Sequence, residues 1–143
     1  MTDTLYWSQA YTDQYVEALR RDADFQKAAR KFEGAMTFRC LDTPEGEDVA
    51  ATYVIDKGAV SVTRRAEKAP SSSLRAAPIE KTVFARTTAP YALWCKLDRG
   101  EMNVLQAVAS PDYQVEGSKL KIMANIGLLN AMSAVASRLP KRY

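Results

Sequence analysis

Histidine is absent from all 143 residues, which bounds the available chemistry more sharply than any motif the chain carries. Without imidazole the ordinary proton shuttle near neutral pH is lost, together with Ser-His and Cys-His nucleophiles and the common zinc ligand sets. Carboxylates, lysine or tyrosine could still serve an enzyme. The acidic residues, however, fall mostly on expected helix ends, hairpin turns and exposed helix faces, where solvation is their usual role. Cys40 and Cys95 sit among apolar neighbours with neither CxxC nor metal spacing, so both read as buried free thiols. The glycines are spread singly and form no phosphate-cradling loop. The expectation is a protein that is not an enzyme and holds no metal or cofactor. Arg64, Arg65, Lys68 and Arg75 lie in and beside a long polar loop. It reads either as a basic lip for carboxylate, phosphate or an anionic membrane surface, or as a solvated loop.

Apolar content of 47% and charged content of 26% are those of a globular protein. The length suits a single domain over 1–143 with one core. A net charge of +3 is too mild to indicate nucleic acid. The beginning, MTDTLYWSQ, has neither the basic nor the apolar region of a signal peptide, and the longest uncharged run, Met123 to Ser137, is rich in Ala, Ser and Asn. A cytoplasmic location is expected.

The elements that must position any site follow from periodicity. A helix is expected from about Leu5 to Arg20, with Trp7, Tyr11, Tyr15, Val16 and Leu19 on one side. A second follows a cap at Asp22 or Asp24 and ends at Gly34. Met36, Phe38 and Cys40 alternate with Thr37 and Arg39 in a first strand. Val49 to Asp56 forms a second, and the tight-turn pair Lys57-Gly58 returns the chain as a third, Ala59 to Arg65. The segment Ala66 to Ile79 is a loop outside the core. Lys81 to Thr87 reads as a fourth strand. Thr88 and Pro90 then open a short helix lined by Tyr91, Leu93, Trp94 and Leu97. Another short helix spans Asn103 to Ala109. Leu120 and Ile122 alternate with Lys119 and Lys121, the pattern of a last strand, and Asn125 caps the final helix. Leu128, Leu129, Met132, Val135, Ala136 and Leu139 of that helix share an arc of about 120° facing the core.

This order makes an α+β layer fold, a mostly antiparallel five-stranded sheet covered on one face by helices. Here the chain resembles a known family. The run Gly117-Ser118-Lys119-Leu120-Lys121-Ile122, followed by Asn125-Ile126-Gly127-Leu128, is similar to the GKLKI…N-x-G-L signature of the sterol carrier protein type-two domain. Gly100-Glu101-Met102-Asn103 resembles the family's segment after its short helix. The likeness in element order spans about Phe25 to Leu139, leaving residues 1–24 as an N-terminal helical extension. Ser118 interrupts the family's Gly-Lys pair, which suggests a bulge. Several extra residues lie between Met102 and Gly117, near the tunnel mouth of relatives. The ending Lys141-Arg142-Tyr143 lacks the peroxisomal tripeptide of some relatives.

The resemblance implies non-enzymatic binding, and transfer, of a sterol, fatty acid or fatty acyl-CoA in an apolar tunnel between sheet and helices. Phe38, Phe84, Trp94, Leu105, Val108, Ile122, Leu129 and Met132 are then wall candidates, each equally explained as plain core. Met102, Met123 and Met132 would supply an adaptable lining. Burying an acyl chain gains about 0.8 kcal/mol per CH2, so a sixteen-carbon chain gains roughly 12 kcal/mol gross, against an association cost of several kcal/mol or more. Tight binding needs few polar contacts. The alternative is an interaction or dimerisation module of the same fold that partners an enzyme or itself, its cavity filled by side chains.

Overall fold

The strand with alternating Met36, Phe38 and Cys40 is the middle of the sheet. In the computed structural model, which describes residues 4–143 apart from the side chains of residues 104 and 105, β1 (Glu33–Leu41) lies between β2 (Glu47–Asp56) and β4 (Val83–Pro90). β3 (Ala59–Lys68) and β5 (Gln114–Gly117) form the edges of the order β3-β2-β1-β4-β5. The helices are α1 (Gln9–Arg21), α2 (Ala23–Ala29), α3 (Ser72–Ala76), α4 (Tyr91–Asp98), α5 (Val104–Val108), α6 (Lys119–Ala124) and α7 (Ile126–Arg138).

The β1-β2-β3 meander is antiparallel throughout, turned between β2 and β3 by Lys57 and Gly58, both at positive φ as a two-residue hairpin requires. β4 and β5 also pair antiparallel, but β1 and β4 run parallel, with Phe38 opposite Thr87, so the sheet is mixed. That pairing follows from connectivity. β3 is an edge strand, and the chain must cross β2 and β1 to reach β4. The expected loop makes this crossing and is not outside the core. Its helix α3 buries Leu74 to 1% exposure, and Arg39, pointing away from Phe38 and Cys40, donates to the Leu74 carbonyl at 2.8 Å. Arg86 likewise holds the Ala77 carbonyl at 2.8 Å. α3 thus covers the outer face of the sheet.

On the inner face Met36, Cys40, Val49, Ala51, Tyr53, Ile55 and Val60 meet Tyr11, Tyr15, Val16 and Leu19 of α1 and Leu128, Met132 and Val135 of α7 in one buried cluster. The expected α7 stripe is the observed one. α1 begins at Gln9, because the Ser8 hydroxyl accepts the Tyr11 N–H and Trp7 stands outside the helix at φ +70°. Asp22 caps α2 by accepting the Phe25 N–H at 2.8 Å. Gly34 does not end α2; it lies inside β1, beneath the Phe32 ring. Pro90 stands at the N-cap of α4, while the Thr88 hydroxyl, still in β4, is engaged by Arg39.

The strand expected at Lys119–Ile122 is a helix. β5 stops at Gly117, whose φ of +115° turns the chain and whose missing Cβ would lie 2.2 Å from the Phe84 carbonyl oxygen. Ser118 then donates its N–H to that same carbonyl and accepts the Lys121 N–H on its hydroxyl, starting α6 in place of a bulge. Asn125 gives α7 no side-chain cap; its amide donates to the Lys121 carbonyl at 2.8 Å and closes α6 instead.

Candidate functional site

Between sheet and helices the aromatic residues form a closed circuit. Ring centroids run from Tyr6 to Tyr11 at 5.0 Å, to Tyr15 at 5.7 Å, to Tyr53 at 5.6 Å, to Phe38 at 5.8 Å, to Trp94 at 6.1 Å, to Trp7 at 5.3 Å and back to Tyr6 at 6.2 Å. Most contacts are tilted or edge-on, the favourable arrangement for aromatic quadrupoles. Tyr15 donates its hydroxyl to the Met132 carbonyl at 2.8 Å, and Trp94 donates its indole N–H to the Arg39 carbonyl at 2.9 Å. Trp7 differs from these. Its indole N–H is buried without an acceptor, and a bulky residue at φ +70° is a strained outlier. The chain places a costly tryptophan in the middle of this interior.

At the other end of β1 lies an open cleft of about 460 Å3, within the range of small-molecule sites, roughly 300–1,000 Å3. Phe32 and Phe84, edge to face at 5.7 Å, line it beside Gly34 and Ala35. Lys31, just before β1, and Lys121 and Asn125, at the α6–α7 junction, supply polar groups. Glu33 is also present but is paired with Lys57 at 3.3 Å. β1 runs from this cleft at Gly34 to the aromatic circuit at Phe38, about 13 Å along the strand.

The expected wall residues are therefore divided. Phe38, Trp94, Leu129 and Met132 belong to or pack against the main buried cluster, and Phe84 packs against it while lining the cleft. Ile122 is half-buried in α6. Val108 is 60% exposed on α5 and lines no interior. The side chain of Leu105 lies outside the described residues. Of the lining methionines, Met132 is buried, Met102 packs on a small second cluster under α4 and α5, and Met123 is 71% exposed.

Ionisable groups in the interior are structural in their geometry. Asp48 is fully buried, accepting two bonds from Arg75 at 2.8 and 3.0 Å and the N–H groups of Ser71 and Asp42. Burial alone would raise its pKa; the Arg75 and backbone bonds outweigh that and hold it at about 2. Arg86 binds Glu116 bidentately at 3.0 and 3.1 Å. Asp98 and Lys141, each 2% exposed, pair at 2.7 Å, with Lys141 lying 5.3 Å from the Tyr6 ring and 5.7 Å from that of Tyr11. Tyr143 adds a short hydrogen bond to Asp98. Burial raises both cysteine thiols and the phenols of Tyr6, Tyr11 and Tyr15, which removes them from acid–base work near neutral pH. Among the described residues no cluster of Cys, Asp and Glu could hold a metal ion.

The expected basic lip dissolves in this geometry. Arg64 turns inward and donates to the Trp7 carbonyl at 2.9 Å, Arg65 pairs with Glu67 at 2.5 Å, and Arg75 is held by Asp48 and Asp42. Lys68 is left exposed. Sequence reasoning placed acids on the surface and so missed Asp48 and Asp98. The only signal of their burial was a basic residue distant in the chain.

A mixed five-stranded sheet with α1, α2, α4 and α7 on its inner face defines a sterol carrier protein type-two fold. Solved structures agree. The crystal structure of a sterol carrier protein 2 aligns with a TM-score of 0.72 at 16% identity, over 94% of this chain and 99% of that one. The solution structure of a conserved hypothetical protein from Thermus thermophilus gives 0.69 at 16% identity, over 99% and 94%. The sterol carrier protein domain 2 of Helicoverpa armigera gives 0.57 at 16% identity, over 93% and 91%. At the level of sequence, no family model and no curated protein matches the chain. Among the described residues no helix is long and apolar enough to cross a membrane.

Proposed function

We propose that the protein is a non-catalytic carrier of an amphipathic lipid: a fatty acid, a fatty acyl-CoA or a sterol. The observation that carries this reading is the cleft with Phe32 and Phe84 on its wall and Lys31 and Lys121 beside them. An anionic or hydroxylated head sits near the lysines, and the apolar body follows β1 towards Phe38, Trp94, Leu129 and Met132. Trp7 is the group that yields: its ring leaves the interior, which frees its unpaired N–H to meet water. The fold, shared with proteins described as sterol carriers, supports the same reading.

The closed aromatic circuit favours a second reading, in which the interior is permanently filled and the fold serves as an interaction module. Three measurements separate them: mass spectrometry of an organic extract of the purified protein, titration with a fluorescent fatty acid, and thermal unfolding of wild type and Met132→Trp. The carrier reading expects bound lipid or saturable binding. A ligand at 100 times its Kd then adds about 2.7 kcal/mol of stability, and Met132→Trp weakens binding; because Met132 is packed in the ligand-free protein, overpacking by about 1–3 kcal/mol is expected under both readings. No ligand in the extract and no ligand uptake by wild type select the filled module.

A further inference from the structure

α6 is short, and its apolar face is turned to solvent. Leu120 is 85% exposed and Met123 71% exposed; Ile126 at the start of α7 and Val115 on β5 add 48% and 45%. Leu120 and Met123 lie about 60° apart on the helix, with Lys119 to one side of them and Lys121 to the other. A patch of large apolar side chains this exposed marks a contact surface, because leaving it in water forfeits the burial that elsewhere drives folding.

Charge decides what the patch contacts. Lys119 and Lys121 are exposed and form no ion pair among the described residues, and neither does Lys31 across the cleft from Lys121. The nearby acids are already engaged, Glu116 by Arg86 and Glu33 by Lys57. The arginines of the 64–75 segment are engaged as well, whereas Lys119 and Lys121 stand directly beside the exposed apolar side chains of α6. We propose that Leu120, Met123 and Ile126 dock the protein on an anionic lipid bilayer, their side chains entering the headgroup region while Lys119 and Lys121 meet lipid phosphates. A short helix with exposed apolar residues between lysines has the composition of an interfacial anchor. Lys121 and Asn125 are shared with the cleft, so docking brings the cleft mouth to the bilayer.

The test is flotation of lipid-free protein with vesicles of phosphatidylcholine alone and with 30% phosphatidylglycerol, at low and at raised salt. Wild type is expected to float with the anionic vesicles at low salt and to release as salt rises. Leu120→Ser/Met123→Ser should lower the partition coefficient at least tenfold, and Lys119→Glu/Lys121→Glu at least twentyfold, since each lysine near such a surface contributes about fivefold. Both double variants should melt as wild type, because the altered side chains are exposed. Failure to float with anionic vesicles, equal flotation with neutral ones, or variants that float as wild type would overturn the proposal. So would a dimer in solution that the Leu120→Ser/Met123→Ser variant dissociates, which would assign the patch to a second copy. None of these readouts requires bound cargo, so docking and lipid carriage stand or fall separately.

Discussion

Asp48 shows how a single buried carboxylate ties two distant segments together. It links the β1–β2 turn, through the Asp42 N–H, to the crossover that carries Ser71 and Arg75. Its folded pKa of about 2 lies below the roughly 3.9 of an unfolded aspartate. The ionised form is thus favoured in the folded state, and the stability it confers is complete above about pH 5. It is lost as pH falls through 3.9 towards 2. With Arg75 35% exposed, solvent screening limits the contribution to on the order of 1–2 kcal/mol. Denaturant unfolding at a series of pH values should therefore show a steeper acid limb in wild type than in Asp48→Asn, which is less stable at pH 7 but changes less between pH 5 and 2. Equal acid limbs would mean that other carboxylates dominate acid unfolding.

At the scale of the element, the junction from β5 to α6 is set by Gly117. A side chain there would meet the Phe84 carbonyl at 2.2 Å and the Ala85 Cα at 2.9 Å, and φ +115° is a conformation that L residues rarely adopt. Gly117→Ala is expected to cost about 1–3 kcal/mol or more, since the obstacle is backbone of a neighbouring strand and cannot rotate away. Gly127→Ala makes the control: a Cβ at that position inside α7 would meet nothing within 4 Å, so a gain of helix propensity of up to about 1 kcal/mol is expected. Chemical denaturation of the two variants measures both signs. A harmless Gly117→Ala would show that the strand can slide past Phe84.

For the whole molecule, the ends of the chain are structural. Thr4 to Tyr6 pairs with Arg142 through backbone bonds of 2.8 and 2.9 Å, next to the enclosed Asp98–Lys141 pair. Trp7, Tyr11, Tyr15, Val16 and Leu19 supply one wall of the principal buried cluster. Residues 4–24 are accordingly expected to be indispensable. A fragment beginning at Phe25 should lose the cooperative thermal transition and expose apolar surface to a hydrophobic dye, because Tyr53, Val60 and Met132 lose the side chains that cover them. A sharp transition in that fragment would return these residues to the status of an accessory extension.

What the sequence determined by itself was local and periodic. The apolar face of α1, the stripe on α7 and the alternation of β1 each extend over several repeats, long enough for one period to win. Lys57-Gly58 specified its turn because only that backbone geometry closes a two-residue hairpin. The order of elements was legible for the same reason, apart from α3 and α6, whereas the likeness to the sterol carrier type rested on the motif from Gly117 to Leu128. Tertiary structure decided what depended on distant partners. Over the four residues from Lys119 to Ile122, alternation and a helical face fit equally well, and contact of Gly117 with Phe84 settled the outcome. The parallel β1–β4 pairing and the burial of α3 were hidden because a crossover leaves no period in the chain. Asp48 finds Arg75 27 positions away, Arg86 finds Glu116 at 30 and Asp98 finds Lys141 at 43. A charge enters a core only when its counter-charge is brought there by the fold, so its burial could not be read from its neighbours in sequence. The site followed the same division: that Phe38, Trp94 and Met132 would lie inside was periodic, whereas the cleft of Phe32, Phe84, Lys31 and Lys121 exists only because separate segments converge on it.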